Sequence, residues 1–229
     1  MQPAWTSLKK DLLDIDSLRR AFAGVDTLFL LNAVTGDEFT EALITLNVAR
    51  EAGIDRVVYL SGFDADKAVN VPHFAVKFGA ERMPETLGFS ATILRSVYPT
   101  PIGSKWVAMV DARDIAEIAA IELIRRDRAS GKLPVKTINI VGPDILTGAD
   151  VAAIWTEVLG RPIAYGGDDP GGFEASMANF MPVWMAYEMR IMAERYVSDG
   201  MIPQEGDRER LVKMPGRNLH SYRETALAG

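Results

Sequence analysis

Cysteine is absent from this chain of 229 residues, and histidine occurs only twice. Without a thiol, the sequence excludes disulfide bonds, zinc–thiolate sites and cysteine nucleophiles. His73 and His220 are far apart in sequence, and the acidic residues form no cluster with metal-ligand spacing. We therefore expect no bound transition metal.

Long apolar runs are also missing. None reaches the roughly 18 residues that a membrane-spanning helix requires, and the N-terminus has no signal-peptide pattern. Acidic residues outnumber basic ones by 31 to 25, and the net charge of −6 disfavours nucleic acid or an anionic membrane as a partner. The composition, 48% hydrophobic, predicts a globular and cytoplasmic protein.

The third absence is a glycine-rich phosphate-binding motif. Neither G-x-G-x-x-G nor G-x-x-G-x-x-G occurs in the chain. Residues 166–172 are dense in glycine, but they include Asp168 and Asp169, whose charges would repel a phosphate. Ser61 lacks the flanking glycines of a G-x-S-x-G motif, so a serine hydrolase is not predicted either.

The sequence does contain a strand–helix–strand unit between Asp26 and Lys77. Two short apolar runs, 27–33 and 56–62, flank a segment of helical length, which is the pattern of a parallel sheet buried on both faces. In an open α/β sheet, ligands bind outside the carboxyl ends of the strands. We therefore expect the functional site where these two runs end.

Several residues have the spacing of helix caps. Thr35 and Glu38 match a capping box at the start of the helix in this unit, and Gly53 suits a left-handed cap at its end. Asp111 precedes another helical pattern and Asp114 lies near its positive end. We interpret these two aspartates as helix caps rather than as an acid–base pair.

The rest of the chain alternates strands and helices up to Gly142 and is mostly helical after it. The pattern predicts strands near 89–94, 106–110, 137–141 and 163–165, and helices near 15–23, 73–87, 111–126, 147–160 and 182–199. The predicted fold class is α/β, a doubly wound parallel sheet with a smaller, mostly helical C-terminal region. The predicted division is 1–142 and 143–229.

In several ordered segments the chain resembles the NmrA-like branch of the atypical short-chain dehydrogenases/reductases. The matching segments are Asp11-Leu-Leu-Asp14, Gly24-Val-Asp26, Ala52–Ser61, His73-Phe-Ala-Val-Lys77, Thr92-Ile-Leu-Arg95, Val110–Ala116, Gly142-Pro143 and Leu159-Gly-Arg-Pro162. The resemblance implies a Rossmann-like NAD(P)-binding domain at 1–142 and a substrate or cap region at 143–229.

The chain departs from this family at its N-terminus. The family begins with a strand and a glycine-rich turn, whereas this sequence starts near the family's third strand, so we expect an N-terminally truncated Rossmann-like domain. The strand at 27–33 is then expected to have an open edge. Either a second copy covers that edge, giving a homo-oligomer, or the natural chain extends further upstream.

His73 and Lys77 are four residues apart and share one helix face. The resemblance implies that Lys77 bonds the nicotinamide ribose, and that His73 stands where classical relatives have a catalytic tyrosine. His73 could shuttle a proton or be a structural histidine, and we favour the structural role. For Lys77 we favour the functional role over that of a solvated lysine.

The resemblance also implies further cofactor contacts. Asp11 and Leu12 would meet the adenine, although Asp11 also fits a helix-flanking acid. The residues at the ends of the strands would line the dinucleotide. These residues are Asn32, Ala33, Ser61, Gly62, Ser96 and Val97. Tyr98 would meet the nicotinamide and take part in catalysis, or it is a packing aromatic.

The function implied is hydride transfer from NADPH or NADH to a small organic acceptor such as a quinone or an enone, with NADP favoured over NAD. Two alternatives stay open. The chain could be a non-enzymatic regulator that senses the dinucleotide and binds protein partners, or a homologue that no longer binds dinucleotide.

Overall fold

A computed structural model of the protein describes residues 11–97 and 102–228. Within these residues, four parallel strands form a sheet in the order β1-β2-β3-β4. The strands are β1 (Thr27–Leu30), β2 (Arg56–Gly62), β3 (Ser90–Ser96) and β4 (Lys136–Ile140). Helices pack on both faces of the sheet, so the predicted α/β class with a parallel sheet is confirmed.

The helices of the described chain mostly follow the predicted pattern. They are α1 (Ile15–Phe22), α2 (Glu38–Glu51), α3 (Pro72–Thr86), α4 (Ala112–Asp127), α5 (Gly148–Leu159), α6 (Pro170–Met177), α7 (Val183–Asp199), α8 (Asp207–Lys213) and α9 (Tyr222–Ala228). The sequence pattern predicts neither helix α6 nor helix α8. Helix α3 continues through Pro84 rather than ending there.

The sheet is buried on both faces because successive side chains of a strand point in opposite directions. On β2, Val57 and Tyr59 join an apolar cluster with α1 and α2, whereas Val58 joins a second cluster. The second cluster includes Met192 and Tyr196 of α7, so the C-terminal helices share a core with the sheet. The domain boundary at residue 142 stays a prediction.

Two of the predicted strands are wrong. Residues 106–110 form only single bridges, from Val107 to Leu146 and from Val107 to Met201, rather than a strand of the sheet. The backbone at 163–165 is irregular. Both segments contain short apolar runs, but without a neighbouring strand to pair with, such a run forms no ladder.

The helix caps give a mixed outcome. Gly53 adopts a positive φ of 86° after α2, as predicted. The capping box of Thr35 and Glu38 is wrong, because α2 begins at Glu38 and its N-cap residue Asp37 makes no side-chain cap bond. Glu38 instead turns its carboxylate toward α3.

Asp111 caps α4 as predicted, accepting a hydrogen bond from the backbone N–H of Arg113. Capping does not account for Asp114. Its carboxylate contacts Nδ1 of His220 at 2.7 Å and the guanidinium of Arg217 at 2.8 Å. Asp114 therefore anchors the C-terminal segment to α4, a contact that sequence spacing cannot reveal.

Strand β1 is an edge of the sheet within the described residues, as expected. It pairs with β2 on one side, and the side chains of Phe29 and Leu31 are 38% and 55% exposed. Self-association through this edge stays a prediction. Among the helices of the described chain, none is both long enough and apolar enough to cross a membrane.

Candidate functional site

Three buried side chains form a charged cluster between α2 and α3. The ammonium of Lys77 donates to Oε1 of Glu38 over 2.9 Å, and Nδ1 of His73 lies 2.8 Å from Oε2 of the same carboxylate. Lys77 is fully buried, and the other two side chains are buried almost as completely. The structure thus brings together the two residues of the predicted His73–Lys77 pair through a carboxylate between them.

The secondary structure explains this cluster. His73 and Lys77 lie one turn apart on α3, so both face α2. Glu38 is the first residue of α2, where the positive end of the helix dipole favours a carboxylate. The Lys77 ammonium also lies 5.9 Å from the ring centre of Tyr59 on β2, within the range of a cation–π contact.

A cavity of about 590 Å³ lies beside the cluster, within the size range of small-molecule sites. Its described wall includes Glu38 and His73 but not Lys77, which is linked to the cavity through Glu38. Most of the other wall residues are apolar or aromatic, namely Val34, Gly36, Pro72, Val76, Val183, Trp184 and Tyr187. The remaining wall residues are polar or acidic, namely Thr35, Glu174 and Glu188.

Glu188 reaches this wall from α7 and is only 7% exposed. Burial raises the pKa of its carboxyl group, and the nearby Glu38 carboxylate raises it further. His73 opposes this shift by its charge and by a backbone hydrogen bond. Oε1 of Glu188 is buried and has no hydrogen-bond partner among the described residues.

Asn32 follows β1 at the carboxyl edge of the sheet, where ligands bind in this fold class. It is 3% exposed, and neither its amide nitrogen nor its amide oxygen has a hydrogen-bond partner within the described chain. A buried amide without partners costs free energy, so such a group is typical of a binding surface. The neighbouring Ala33 is exposed.

Ser61 lies near the same edge but is committed to a buried network. Its hydroxyl donates to Oε1 of Glu81 over 2.6 Å. The guanidinium of Arg95 donates to both oxygens of that carboxylate, from Nε to Oε1 over 2.9 Å and from Nη2 to Oε2 over 2.7 Å. Gly62 pairs with Ser96 in the sheet. The Ser96 hydroxyl lies 3.5 Å from the Ser61 carbonyl oxygen, which is too long for a strong bond.

The remaining predicted site residues are more scattered. Val97 follows β3, and its backbone N–H donates to the carbonyl of Ile140. Asp11 is exposed ahead of α1, where its carboxylate accepts from the backbone N–H of Leu13, and Leu12 packs on the apolar cluster beneath. Tyr98 lies outside the described residues. The cofactor contacts of all these residues stay predictions.

Sequence reasoning missed two residues of the site, Glu38 and Glu188. Glu38 was assigned to a cap because only its local spacing was visible. Glu188 carries no signal in the sequence, since it lies in an ordinary helical pattern, and only the tertiary structure places it on the same cavity wall as His73. No group of three His, Asp or Glu in the described chain is arranged to hold a metal ion.

Comparisons with known proteins agree with this architecture. The model of one protein family, the NmrA-like family, matches residues 2–198. An NAD(P)H azoreductase from Xenophilus azovorans is 25% identical over 178 residues, which cover 68% of this chain. This chain spans 59% of the length of that enzyme.

Solved structures show the same fold at lower identity. The triphenylmethane reductase of Citrobacter sp., complexed with NADP(H), superposes with a TM-score of 0.76 at 22% identity, covering 95% of this chain and 81% of that one. An NADPH-dependent quinone oxidoreductase from Escherichia coli, complexed with NADPH, gives a TM-score of 0.78 at 21% identity, with the same coverage.

Proposed function

This chain belongs to the NmrA-like family, and on that basis we propose that it is an NAD(P)H-dependent reductase of a small organic acceptor such as a quinone or an enone. The observation that carries the proposal is the buried Lys77–Glu38–His73 cluster, which borders a cavity large enough for a small molecule. Charged groups are kept in a protein interior at a cost, and they concentrate at functional sites.

The carboxyl edge of the sheet fits one end of a dinucleotide. Within the described chain, the buried Asn32 amide has unused donors and an unused acceptor there, and the family resemblance implies that Lys77 on α3 would bond the ribose hydroxyls. When bound, the reduced nicotinamide supplies a hydride to an electrophilic atom of the acceptor. The sequence offers no glycine-rich turn for the diphosphate, so we assign no residue to that part of the cofactor.

The cavity suits a flat, mostly apolar acceptor. Trp184 and Tyr187 supply aromatic surface from α7, and Val34 and Val76 supply aliphatic surface from the loop after β1 and from α3. Glu38 positions His73 at the cavity wall through the 2.8 Å contact between its carboxylate and Nδ1. His73 can in this way remain oriented toward the acceptor as charge develops on it.

The proposal is tested by calorimetric titration of the protein with NADPH and with NADH, followed by assays of NADPH oxidation with a naphthoquinone and with 2-cyclohexenone. We expect binding of NADPH and its oxidation by at least one acceptor. Binding without oxidation would favour the alternative of a dinucleotide-sensing regulator. If neither binding heat nor a thermal shift were observed, the remaining alternative would be that this protein is a homologue that no longer binds dinucleotide.

Replacement of Asn32 by leucine, which has a similar shape, is expected to separate stability from binding. The free protein should keep or slightly increase its stability, because a buried amide without partners is removed. NADPH affinity should fall about 10-fold, the loss of roughly one hydrogen bond. Urea denaturation and titration of the same samples measure the two effects. If the wild type and the variant bound NADPH with equal affinity, the assignment of Asn32 to the cofactor site would be wrong.

A further inference from the structure

We propose that Glu188 is the proton donor of the cavity, supplying from its carboxyl group the proton that accompanies hydride transfer to the acceptor. This inference rests on the proposed reductase function and adds a catalytic residue to it. Glu188 lies on α7, outside the short sequence segments that carry the family resemblance in the sequence analysis. Its assignment comes from the tertiary structure.

The position of Glu188 suits the role. It is a wall residue of the cavity together with His73 and Glu38, and it is nine-tenths or more buried. One side of its carboxyl group is held by a hydrogen bond from the backbone of His73. Its Oε1 has no partner in the described chain, so one oxygen is held in place while the other is uncommitted.

The charged groups around Glu188 are largely paired with one another, and burial is the largest influence that raises its pKa. From α2 and α3, Glu38 and Lys77 form an ion pair whose charges cancel. From α6, Glu174 is paired with Arg190 at 2.7 Å, and Arg190 also pairs with Glu194. An ionised Glu188 would therefore add an uncompensated negative charge to a buried site, unless His73 were protonated at the same time.

Glu188 and His73 both line the cavity, next to the Glu38–Lys77 ion pair. Burial raises the pKa of the Glu188 carboxyl above that of an ordinary glutamate, which keeps the proton on the group closer to neutral pH. The backbone hydrogen bond from His73 to Glu188 fixes the carboxyl group at the cavity wall.

The chemistry balances with the proposed reaction. The acceptor gains a hydride, with its two electrons, from the reduced nicotinamide, and the charge appears on an oxygen of the quinone or enone. The O–H bond of the Glu188 carboxyl breaks, and a new O–H bond forms on the acceptor. Glu188 is left as a carboxylate and takes a proton from water.

The test replaces Glu188 with glutamine, which keeps the shape of the side chain and removes the proton that can be donated. With a naphthoquinone acceptor, we expect kcat to fall about 10²–10⁴-fold, the usual contribution of a general acid, while NADPH affinity stays unchanged. In the wild type, kcat should decline as pH rises through the raised pKa of Glu188. In the Glu188→Gln variant, this decline should be absent.

A second readout does not depend on turnover. Infrared spectra recorded across a pH titration should contain a protonated-carboxyl band in the wild type that persists to higher pH than that of an exposed glutamate and that is missing from Glu188→Gln. The matched control is Glu194→Gln, the same chemical change on an exposed position of α7, which should alter neither the band nor the pH profile.

Three results would overturn the assignment. If the Glu188→Gln variant keeps wild-type activity and the wild-type pH profile, Glu188 is not the proton donor. That result leaves the proposed reductase function in place. An infrared titration in which Glu188 loses its proton at the pH of an exposed glutamate leads to the same two conclusions. If the wild-type protein fails to oxidise NADPH with any of the acceptors tested, the reductase function is overturned, and the role of Glu188 with it.

Discussion

Replacing Lys77 with methionine is expected to lower the free energy of unfolding by about 3–5 kcal/mol and to weaken NADPH binding by about 10- to 100-fold. Both effects follow from the contacts of one buried ammonium. Its removal leaves the Glu38 carboxylate buried with His73 as its remaining side-chain partner. It also removes the group that we assign to the ribose hydroxyls.

A double variant separates these two roles of Lys77. Lys77→Met combined with Glu38→Gln removes both charges of the ion pair, so no unpaired charge is left in the interior, and most of the lost stability should return. Cofactor affinity should not return, because the ammonium is still missing. Urea denaturation and calorimetric titration with NADPH report on the two quantities in the same proteins.

The Glu38→Gln single variant completes the comparison. It leaves the buried Lys77 without its carboxylate, and we expect a loss of stability similar to that of Lys77→Met. If the double variant regained NADPH affinity together with stability, Lys77 would be a structural residue. The proposed ribose contact would then be wrong.

The second large effect is expected for Arg95, whose replacement by methionine should cost about 3–5 kcal/mol of unfolding free energy. Arg95 binds both oxygens of Glu81 with the paired geometry that makes such contacts strong. Glu81 is 1% exposed, and without Arg95 its charge would keep, among the described residues, only the hydroxyl of Ser61 as a side-chain partner. Thermal and urea denaturation measure the loss.

Asp66 provides the matched control for Arg95. It binds the same guanidinium at 2.8 Å, but its side chain is 38% exposed, so Asp66→Asn should cost less than about 1 kcal/mol. Arg95→Lys should recover only part of the stability, because an ammonium cannot bind both carboxylate oxygens in the same plane. Equal losses in Arg95→Met and Asp66→Asn would show that burial of Glu81 is not what makes this contact strong.

The fold was largely predictable because its signals are local. The apolar runs of β1 and β2 are continuous, since both faces of a parallel sheet are buried, and Gly53 ends the intervening helix with a positive φ. The strand predicted at 106–110 failed for a non-local reason. Whether an apolar run becomes a strand depends on a neighbour to pair with, and Val107 finds only single bridges to Leu146 and Met201.

The candidate site divides in the same way. The sequence alone determined that His73 and Lys77 share a helix face, because that relation depends on a spacing of four residues. Only the tertiary structure decided what they face. Glu38 contacts them across 35 and 39 residues of chain, and Glu188 arrives from a helix of the C-terminal region. Burial and charge pairing between distant segments depend on how the elements pack, and a pattern of residue types along one chain does not contain that information.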